Sequence, residues 1–421
     1  MAERVILHCD LNNFFASVEC LGHPEYLDVP MAVCGSVEER HGIVLAKNER
    51  AKKFGVKTAE AIWEAQIKCP SLVIAPPHYE EYLKYSKLVR AIYEEYTDKV
   101  EPFGMDECWL DVTGSTLLFG DGKRIAYEIK ERVKNEIGLT ISIGVSFNKV
   151  FAKLASDMKK PDAVTVISRK IFRSVVWPLQ AEEMIGVGKA TKKKLNEIGI
   201  YTLGELANAD ASVLKLVFGK AGEQLKCCAA GKDFSPVLSK SEIPPAKSFG
   251  RSVTCAHDLK TTEEVAAVML YLTGKVAASL RENNVMATVV QIHIRDEKLI
   301  VRECRAHLSQ PTRITEMLYS LGMELFSGVW KWERNVRSIG IRACELVPED
   351  SYSQYNLFYS GLRYDKLEKL EAQVFKICGK YGKNALFRAS TMSLAVPKQD
   401  TPGINDVHYM AKEDISPFTK K

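Results

Sequence analysis

The chain has 421 residues, of which 46% are hydrophobic and 26% charged, and its formal net charge is +5. This composition is typical of a folded globular protein, and the length is sufficient for three or four domains. No run approaches the roughly 18 apolar residues that a membrane span needs, and no basic start precedes an apolar core as in a secretory leader. We therefore expect a soluble, cytoplasmic protein with no membrane partner, whose mild positive charge permits a polyanionic ligand.

The N-terminal part of the chain alternates strand and helix patterns around one large insertion. The predicted elements are a strand at 4–10, a helix at 79–98, part of a strand hairpin at 106–113, a helix at 125–137 and a strand at 140–145. This βαββαβ order, with the insertion after the first strand, predicts a ferredoxin-like sheet. We expect the first strand and the hairpin to occupy the middle of that sheet.

Two acidic sites lie far apart in this part of the sequence. Asp10 ends the first apolar strand, and Asp106 and Glu107 are adjacent in the hairpin. If the sheet makes them neighbours, their three carboxylates can hold two magnesium ions, as nucleotidyl transfer requires. Each site also has an ordinary alternative, because Asp10 could cap the helix that follows and the acidic pair could form a solvated turn. A carboxylate cluster needs a cation to offset its charge, so the joint pattern favours a metal site.

The next segment contains short helices and glycine-bearing turns. The run Ile185–Lys189, followed by a helix and then by Gly199, predicts a helix-hairpin-helix whose glycine backbone approaches a phosphate. The alternative is a glycine-rich turn that binds no ligand. The local surplus of lysine favours contact with the DNA backbone, and the residues concerned are Gly186, Gly188, Lys189, Lys192 and Lys193.

A polar tether with Pro244 and Pro245 leads to a second βαββαβ pattern. Its predicted strands are 248–256, 287–296, 300–309 and 335–346, and its predicted helices are 262–282 and 312–327. Residues Thr261 and Glu264 form a capping-box pattern at the start of the first helix. After residue 348 we expect an exposed peptide, one amphipathic helix at 365–378 and a polar tail.

Three segments resemble the signature sequences of Y-family DNA polymerases, of the bacterial polymerase IV and polymerase V catalytic-subunit type that copies damaged templates. They are Asp10–Glu19, Gly104–Asp111 and Gly144–Pro161, and they occur in the family's order. The resemblance implies a multidomain α+β protein with the right-hand polymerase fold. The implied domains are a ferredoxin-like palm at 1–17 and 77–167, small fingers at 18–76, a helical helix-hairpin-helix thumb at 168–238, a linker at 239–247, a βαββαβ little finger at 248–347 and a C-terminal tail at 348–421.

The resemblance also implies an activity and its ligands. It predicts template-directed, low-fidelity DNA synthesis past lesions without proofreading, with primer–template DNA and deoxynucleoside triphosphates as substrates. Asp10, Asp106 and Glu107 would be catalytic and would hold two Mg²⁺ ions, together with the carbonyl group of Leu11.

Further residues are implied to bind the nucleotide. The backbone at Asn13 and Phe14 would hold the triphosphate, and Lys52 and Lys160 would add point charges on its phosphates. Phe15 would be the steric gate, whose ring fills the space that a ribose 2′-hydroxyl needs; without the family context, Phe15 reads as an ordinary core aromatic. Three positions depart from the commonest family pattern, namely Asn12, Glu49 and Gly104.

The tail contains a peptide that resembles the sliding-clamp motif of bacterial polymerases. Gln354, Leu357 and Phe358 carry the pattern, and the two apolar side chains suit a hydrophobic pocket on the clamp. The alternative is that they pack against the last helix of the chain itself. We expect a monomer.

Two other functions remain open from the sequence. One is a catalytically silent DNA-binding or scaffold protein that keeps the fold, which the presence of all three carboxylates disfavours. The other is a nucleotidyl cyclase, which shares a palm-like sheet and two-metal chemistry but has no use for a helix-hairpin-helix or a clamp peptide.

Overall fold

The computed structural model describes residues 3–36, 40, 42–351, 361–382, 385–386 and 388–391. The described chain divides into two compact units, and the division falls between residues 243 and 244, apart from a short segment at 36–42 that belongs to the second unit. Within these described ranges, no helix is both long enough and apolar enough to cross a membrane.

The first unit begins with a mixed α/β region. Its elements in chain order are β1 (Ile6–Leu11), α1 (Phe14–Gly22), β2 (Met31–Cys34), β3 (Val44–Lys47), α2 (Glu49–Lys53), α3 (Ile62–Lys68), β4 (Val73–Ala75), α4 (Tyr79–Glu94), β5 (Val100–Pro102), β6 (Glu107–Asp111), α5 (Thr116–Phe119), α6 (Gly122–Arg132), β7 (Ile141–Ser146), α7 (Lys149–Met158) and β8 (Val164–Ile167). Five of the strands form one sheet in the order β5-β6-β1-β7-β8, and β2, β3 and β4 form a separate three-stranded sheet.

The five-stranded sheet confirms the ferredoxin-like prediction and corrects one detail of it. Strand β1 lies in the middle between β6 and β7, but the other hairpin strand, β5, lies at an edge rather than in the middle. Strand β8, which the sequence did not predict, extends the opposite edge in parallel with β7. The small sheet of β2, β3 and β4 was not predicted either.

The central strands β1 and β7 are buried along their whole length because both faces of the sheet are covered. One face of β1 carries Leu7, Cys9 and Leu11, which join the core under α4 and α6. Since side chains alternate along a strand, His8 and Asp10 point to the other face, where α7 packs.

Helix α7 lies unusually close to the sheet because residue 144 of β7 is a glycine. A Cβ atom at Gly144 would stand 2.0 Å from the carbonyl oxygen of Ala152 and 2.5 Å from the amide nitrogen of Ser156. Only a residue without a side chain allows this approach. The short separation brings the polar face of α7 over the end of β1.

The rest of the first unit is helical. It contains α8 (Phe172–Val176), α9 (Lys189–Glu197), α10 (Leu203–Asn208), α11 (Ala211–Phe218) and α12 (Lys220–Ala229). These helices share an apolar core with residues of α7, including Phe151 and Leu154.

The second unit has the predicted βαββαβ order. Its elements are β9 (Ser248–Leu259), α13 (Thr262–Glu282), β10 (Val285–Asp296), β11 (Val301–Thr312), α14 (Thr315–Val329), β12 (Val336–Pro348) and α15 (Gly361–Tyr381). The capping box of Thr261 and Glu264 is present. Helix α14 starts three residues later than predicted because β11 continues to Thr312. The strand order is β11-β10-β12-β9.

Among the residues that the structure describes, helices cover only one face of this second sheet. Helices α13 and α14 pack on that face, and along β10 the buried side chains Ile292 and Ile294 alternate with the less buried Gln291 and His293. The uncovered face therefore presents a polar row across the strands.

Candidate active site

The sheet brings the two acidic positions together at the end of β1. Asp10 is the register partner of Glu107 across the β1–β6 ladder, and the amide of Leu11 donates to the carbonyl oxygen of Asp106 at 3.0 Å. Asp10 is only 4% exposed. Residues about a hundred positions apart thus form one carboxylate cluster, as the sequence predicted, and Asp10 does not cap α1, whose N-cap residue is Asn13.

The three carboxylates are electrostatically unequal. Burial raises the pKa of Asp106 to about 7, and the neighbouring Asp10 and Glu107 carboxylates add to that effect. Burial, then Glu107, also raises the pKa of Asp10. Burial acts in the same direction on Glu107, but hydrogen bonding from His8 and the charge of Lys153 outweigh it and lower its pKa. The cluster therefore holds more negative charge than its surroundings neutralise.

Two lysines partly offset this charge. The ammonium nitrogen of Lys153 lies 3.1 Å from Asp10 Oδ2 and 3.0 Å from Glu107 Oε2, and that of Lys160 lies 2.6 Å from Asp10 Oδ2. Asp157 pairs with both lysines. Lys160 was predicted near the site, whereas Lys153 was not assigned a role. Two sequence signals could have marked it, namely its place within the Gly144–Pro161 segment and its spacing of four residues from Asp157 on α7.

His8 is a second residue that the sequence did not assign to the site. Its ring is fully buried, with Nε2 3.3 Å from Glu107 Oε2 and Nδ1 2.9 Å from Ser156 Oγ. Burial is the main reason that its pKa is lowered. Ligand atoms of His8, Asp10 and Glu107 lie within 4.8 Å of one another, which is close enough to share a metal ion.

The donor set fits a hard divalent cation. Carboxylate oxygens are the ligands that Mg²⁺ and Ca²⁺ prefer. The surplus negative charge at Asp106 and its neighbours is what such an ion would neutralise. Asp106 and the backbone of Leu11 lie outside the group of three that includes His8, but both line the same cleft.

The carboxylates open into a cleft of about 270 Å³. Four residues predicted to bind the nucleotide, Asn13, Phe14, Phe15 and Lys160, line it. The complete lining is Asp10, Leu11, Asn13, Phe14, Phe15, Leu45, Ala46, Lys47, Thr58, Asp106, Glu107 and Lys160.

The cation that the insertion contributes to this lining is Lys47 rather than the predicted Lys52. Lys47 donates from Nζ to Thr58 Oγ1 at 3.0 Å, and its pKa is lowered by burial and then by the charge of Lys52. Lys52 stands 3.5 Å from Glu49. Glu49, one of the atypical positions, also accepts a hydrogen bond from the Asn13 amide at 2.8 Å. A role for Lys52 in nucleotide binding stays a prediction.

The chain turns sharply between the end of β1 and the start of α1. Asn13 adopts a left-handed conformation with φ +50° and is the residue from which α1 starts. The following Phe14 is buried in the core, while Phe15 is half-buried and faces the cleft. Phe15 thus both lines the cleft and packs against the core, and its role as a steric gate stays a prediction.

The predicted helix-hairpin-helix residues lie at the start of α9. Gly186 has φ +91° and Gly188 is the N-cap residue of the helix, and both are exposed. Lys189 and Lys193 are exposed as well, whereas the ammonium of Lys192 lies 2.7 Å from Glu182. The predicted clamp residues Gln354, Leu357 and Phe358 lie outside the described residues.

Comparison with known proteins decides the family. The impB/mucB/samB family model matches residues 9–157, and the model of that family's C-terminal domain matches residues 246–357. The chain belongs to this family. Members of the family that resemble it include a DNA polymerase IV of Acetivibrio thermocellus, 50% identical over 380 residues, which are 90% of this chain and 95% of the relative. A DNA polymerase IV 1 of Bacillus subtilis is 38% identical over 392 residues, 92% of this chain and 93% of the relative.

The fold agrees with this family assignment. A solved Y-family DNA polymerase chimera superposes with a TM-score of 0.72 at 25% sequence identity and covers 82% of this chain and 99% of its own. The resemblance to Y-family polymerases that three sequence segments indicated is confirmed, and so is the multidomain α+β architecture. The individual domain boundaries stay predictions.

Proposed function

We propose that the chain is a template-directed DNA polymerase of the translesion type, which extends a primer with low fidelity and without proofreading. The observation that carries the proposal is the carboxylate cluster at Asp10, Asp106 and Glu107, which opens into a cleft lined by Lys160 and Phe15, in a chain 50% identical to a DNA polymerase IV. Membership in the family implies nucleotidyl transfer that depends on a divalent metal, with DNA and nucleotides as substrates.

Two Mg²⁺ ions are the proposed cofactors. Asp10, Asp106 and Glu107 would hold them, with the carbonyl group of Leu11 as an additional ligand. When bound, such ions lower the pKa of the primer 3′-hydroxyl and stabilise the charge that develops on the triphosphate. The buried ring of His8 lies behind Glu107, with Nε2 3.3 Å from Oε2, and together with Lys153 it lowers the pKa of that carboxylate.

The triphosphate would lie between the start of α1 and the lysines. Backbone N–H groups at Asn13 and Phe14 open a helix, and a helix N-terminus favours anions. Lys160 lies on the same cleft, and Lys47 faces it from the inserted segment. Lys52 is close enough to Lys47 to lower its pKa, so we propose that both contribute positive charge.

Phe15 is the proposed steric gate. Its ring reaches the cleft that Asp10 and Lys160 also line, so the sugar of a bound nucleotide would pass close to it. A ring in that position excludes a 2′-hydroxyl by overlap and leaves room for a deoxyribose. Phe15→Ala should raise the incorporation of ribonucleotides by about a hundredfold, far more than it lowers that of deoxynucleotides.

DNA would be held by charge rather than by base recognition. The exposed backbone at Gly186 and Gly188 and the side chains of Lys189 and Lys193 would contact phosphates, with Lys192 in a lesser role because of its ion pair. The uncovered face of the second sheet adds arginines that the sequence did not single out. Arg305 and Arg342 are exposed there and Arg295 is half-buried.

We further propose a monomeric cytoplasmic enzyme that docks on a sliding clamp through Gln354, Leu357 and Phe358. A short apolar motif in a polar tail suits such docking, and a clamp raises the effective concentration of DNA at the enzyme. Leu357→Ala combined with Phe358→Ala should leave extension of short primers unchanged and abolish stimulation by the cognate clamp. A double variant that responds fully to the clamp would contradict this part of the proposal.

Primer extension tests the central proposal. The purified protein should extend a primer on undamaged and lesion-bearing templates when Mg²⁺ and all four deoxynucleotides are present, and Asp106→Ala should not. Glu128→Gln is the matched control, because Glu128 is a palm carboxylate that accepts from Tyr96 and lies outside the cleft. A wild-type protein that binds DNA but extends nothing would favour a scaffold, and turnover that ignores DNA would favour a nucleotidyl cyclase.

A further inference from the structure

The proposed gate residue is supported from behind by a second aromatic ring. The Phe15 ring stacks on the ring of Tyr82 with centroids 4.2 Å apart and planes 10° from parallel. Tyr79 meets Phe15 edge-on at 5.9 Å. Phe15 lies on α1 and both tyrosines lie on α4, so the position of the gate depends on how these two helices are held together.

The Tyr82 side chain is itself fixed at its far end. Its hydroxyl donates to Oε1 of Glu19, which lies one helical turn beyond Phe15 on the same face of α1. Tyr82 is fully buried, and Glu19 is 5% exposed. One residue of α4 thus contacts α1 twice, through a ring stack at Phe15 and through a hydrogen bond at Glu19.

The Glu19 carboxylate has a second partner that orients it. Nδ1 of His78, the residue from which α4 starts, lies 3.0 Å from both carboxylate oxygens. Burial and the nearby Glu19 carboxylate raise the pKa of Tyr82, so its hydroxyl remains a donor at all physiological pH values. Hydrogen bonds to a charged acceptor are stronger and more directional than neutral ones.

We propose that Tyr82 and Glu19 are positioning residues for sugar selection, which fix the Phe15 ring so that it cannot yield to a ribose. This inference rests on the proposed role of Phe15. A steric filter discriminates only if its wall is rigid, because a ring that retreats admits the larger sugar. The hydrogen bond to Glu19 prevents Tyr82 from sliding, and the Tyr82 ring blocks the retreat of Phe15.

The test compares incorporation of one deoxynucleotide and the matching ribonucleotide by the full chain, as kcat/KM for each. Tyr82→Phe keeps the ring and removes the hydroxyl, and it should raise the ratio of ribonucleotide to deoxynucleotide incorporation on the order of tenfold. The rise should come from the ribonucleotide, with deoxynucleotide incorporation within about twofold of wild type.

Variants at Glu19 distinguish a role in positioning the Phe15 ring from a general effect on the stability of the fold. Glu19→Gln retains an acceptor for the Tyr82 hydroxyl and should keep most of the discrimination between the two sugars. Glu19→Leu removes the acceptor and should behave like Tyr82→Phe. If Tyr82→Phe fails to fold, Glu19→Leu provides the same test. Tyr96→Phe is the matched control, because it removes a tyrosine–glutamate hydrogen bond of 2.9 Å to Glu128 away from the cleft. Its sugar ratio should equal that of wild type.

The outcomes distinguish this inference from the gate on which it rests. Phe15→Ala should raise the ratio more than Tyr82→Phe, and the double variant should match Phe15→Ala alone, since both changes act through one ring. A wild-type ratio in Tyr82→Phe beside a raised ratio in Phe15→Ala would overturn the positioning role and leave the gate. Equal losses with both sugars would show a merely structural role and also overturn it. An unchanged ratio in Phe15→Ala would overturn both.

Discussion

The two sheet modules of the chain share one order of elements and differ in the order of their strands. In the first module the opening strand β1 is inserted in the centre, between β6 and β7, whereas in the second module the opening strand β9 lies at an edge. The first sheet is covered on both faces and the second on one face only.

This difference decides what each module offers a ligand. A central strand buried on both faces exposes chemistry only at its end, and β1 ends at Asp10 beside Glu107. A sheet with an uncovered face offers an extended surface instead, and there the exposed Arg305 and Arg342 flank Gln291 in one register row. We infer that the first module performs the reaction and that the second holds DNA.

The largest expected effect is that of Glu107→Ala, which separates catalysis from DNA binding. Glu107→Ala should reduce primer extension by at least roughly a thousandfold, because the site loses a proposed metal ligand together with the negative charge of that ligand, which a bound ion would neutralise. The affinity for primer–template DNA, measured by fluorescence anisotropy, should stay within about twofold of wild type. A parallel loss of DNA affinity would show that the first module also contributes to DNA binding.

The second prediction concerns the stability of the metal-free protein. The pKa of Asp106 is raised from 3.8 to about 7 in the fold, so its ionised form is disfavoured there. Stability should therefore fall as pH rises from about 4 through 7, by at most about 4 kcal/mol. Denaturant unfolding in the presence of a chelator at pH 5 and pH 8 measures the difference. Asp106→Asn should reduce this difference, because Asp106 no longer titrates while Asp10 still does, and a variant that keeps the full wild-type difference would contradict the assignment.

The third prediction addresses the uncovered face of the second sheet. Replacing Arg305 and Arg342 together by Gln should weaken DNA binding about tenfold or more and lower the slope of log affinity against log salt by about two, with kcat at saturating DNA unchanged. Arg302→Gln is the matched control, because Arg302 lies on the opposite face of β11 with its guanidinium 5.6 Å from the Trp330 ring centroid. An equal change of the salt slope in the control would mean that DNA does not bind specifically to the uncovered face.

The smallest expected effect compares two neighbours on α9. Lys193 is exposed, whereas Lys192 is held by Glu182. Lys193→Gln should lower the salt slope by about one, and Lys192→Gln by less. Identical slopes for both variants and the wild type would place the duplex elsewhere and leave the second module as the main contact.

The sequence predicted which carboxylates meet in the site better than it predicted the order of the strands around them. Asp10 and Glu107 could be paired in advance because Asp10 lies at the end of one apolar strand, Glu107 begins another, and both belong to segments that resemble family signatures. The central position of β1 was also expected, but the edge position of β5 and the additional strand β8 were not, because strand order depends on long-range packing and leaves no local periodicity. The two modules show this directly, since the same βαββαβ pattern produced two different sheets.

Residues missed in the site share a physical reason. His8 reads as one polar position in an apolar strand, and Lys153, although it lies in the Gly144–Pro161 segment, reads as one charge on an amphipathic helix, so neither was assigned to the site. Lys47 was passed over for Lys52 because the small sheet that carries it was not predicted. Lys47 reaches the cleft, and His8 and Lys153 reach the Glu107 carboxylate, only through tertiary packing.

The close approach of α7 at Gly144 has a consequence for how the site can vary. Lys153 lies on α7 and Lys160 follows two residues after its end, so the distances of both ammonium groups to Asp10 depend on where the helix lies. Even a methyl group at position 144 would displace the helix and withdraw both positive charges at once. The width of one helix–strand gap thus helps to set the charge balance of the whole site.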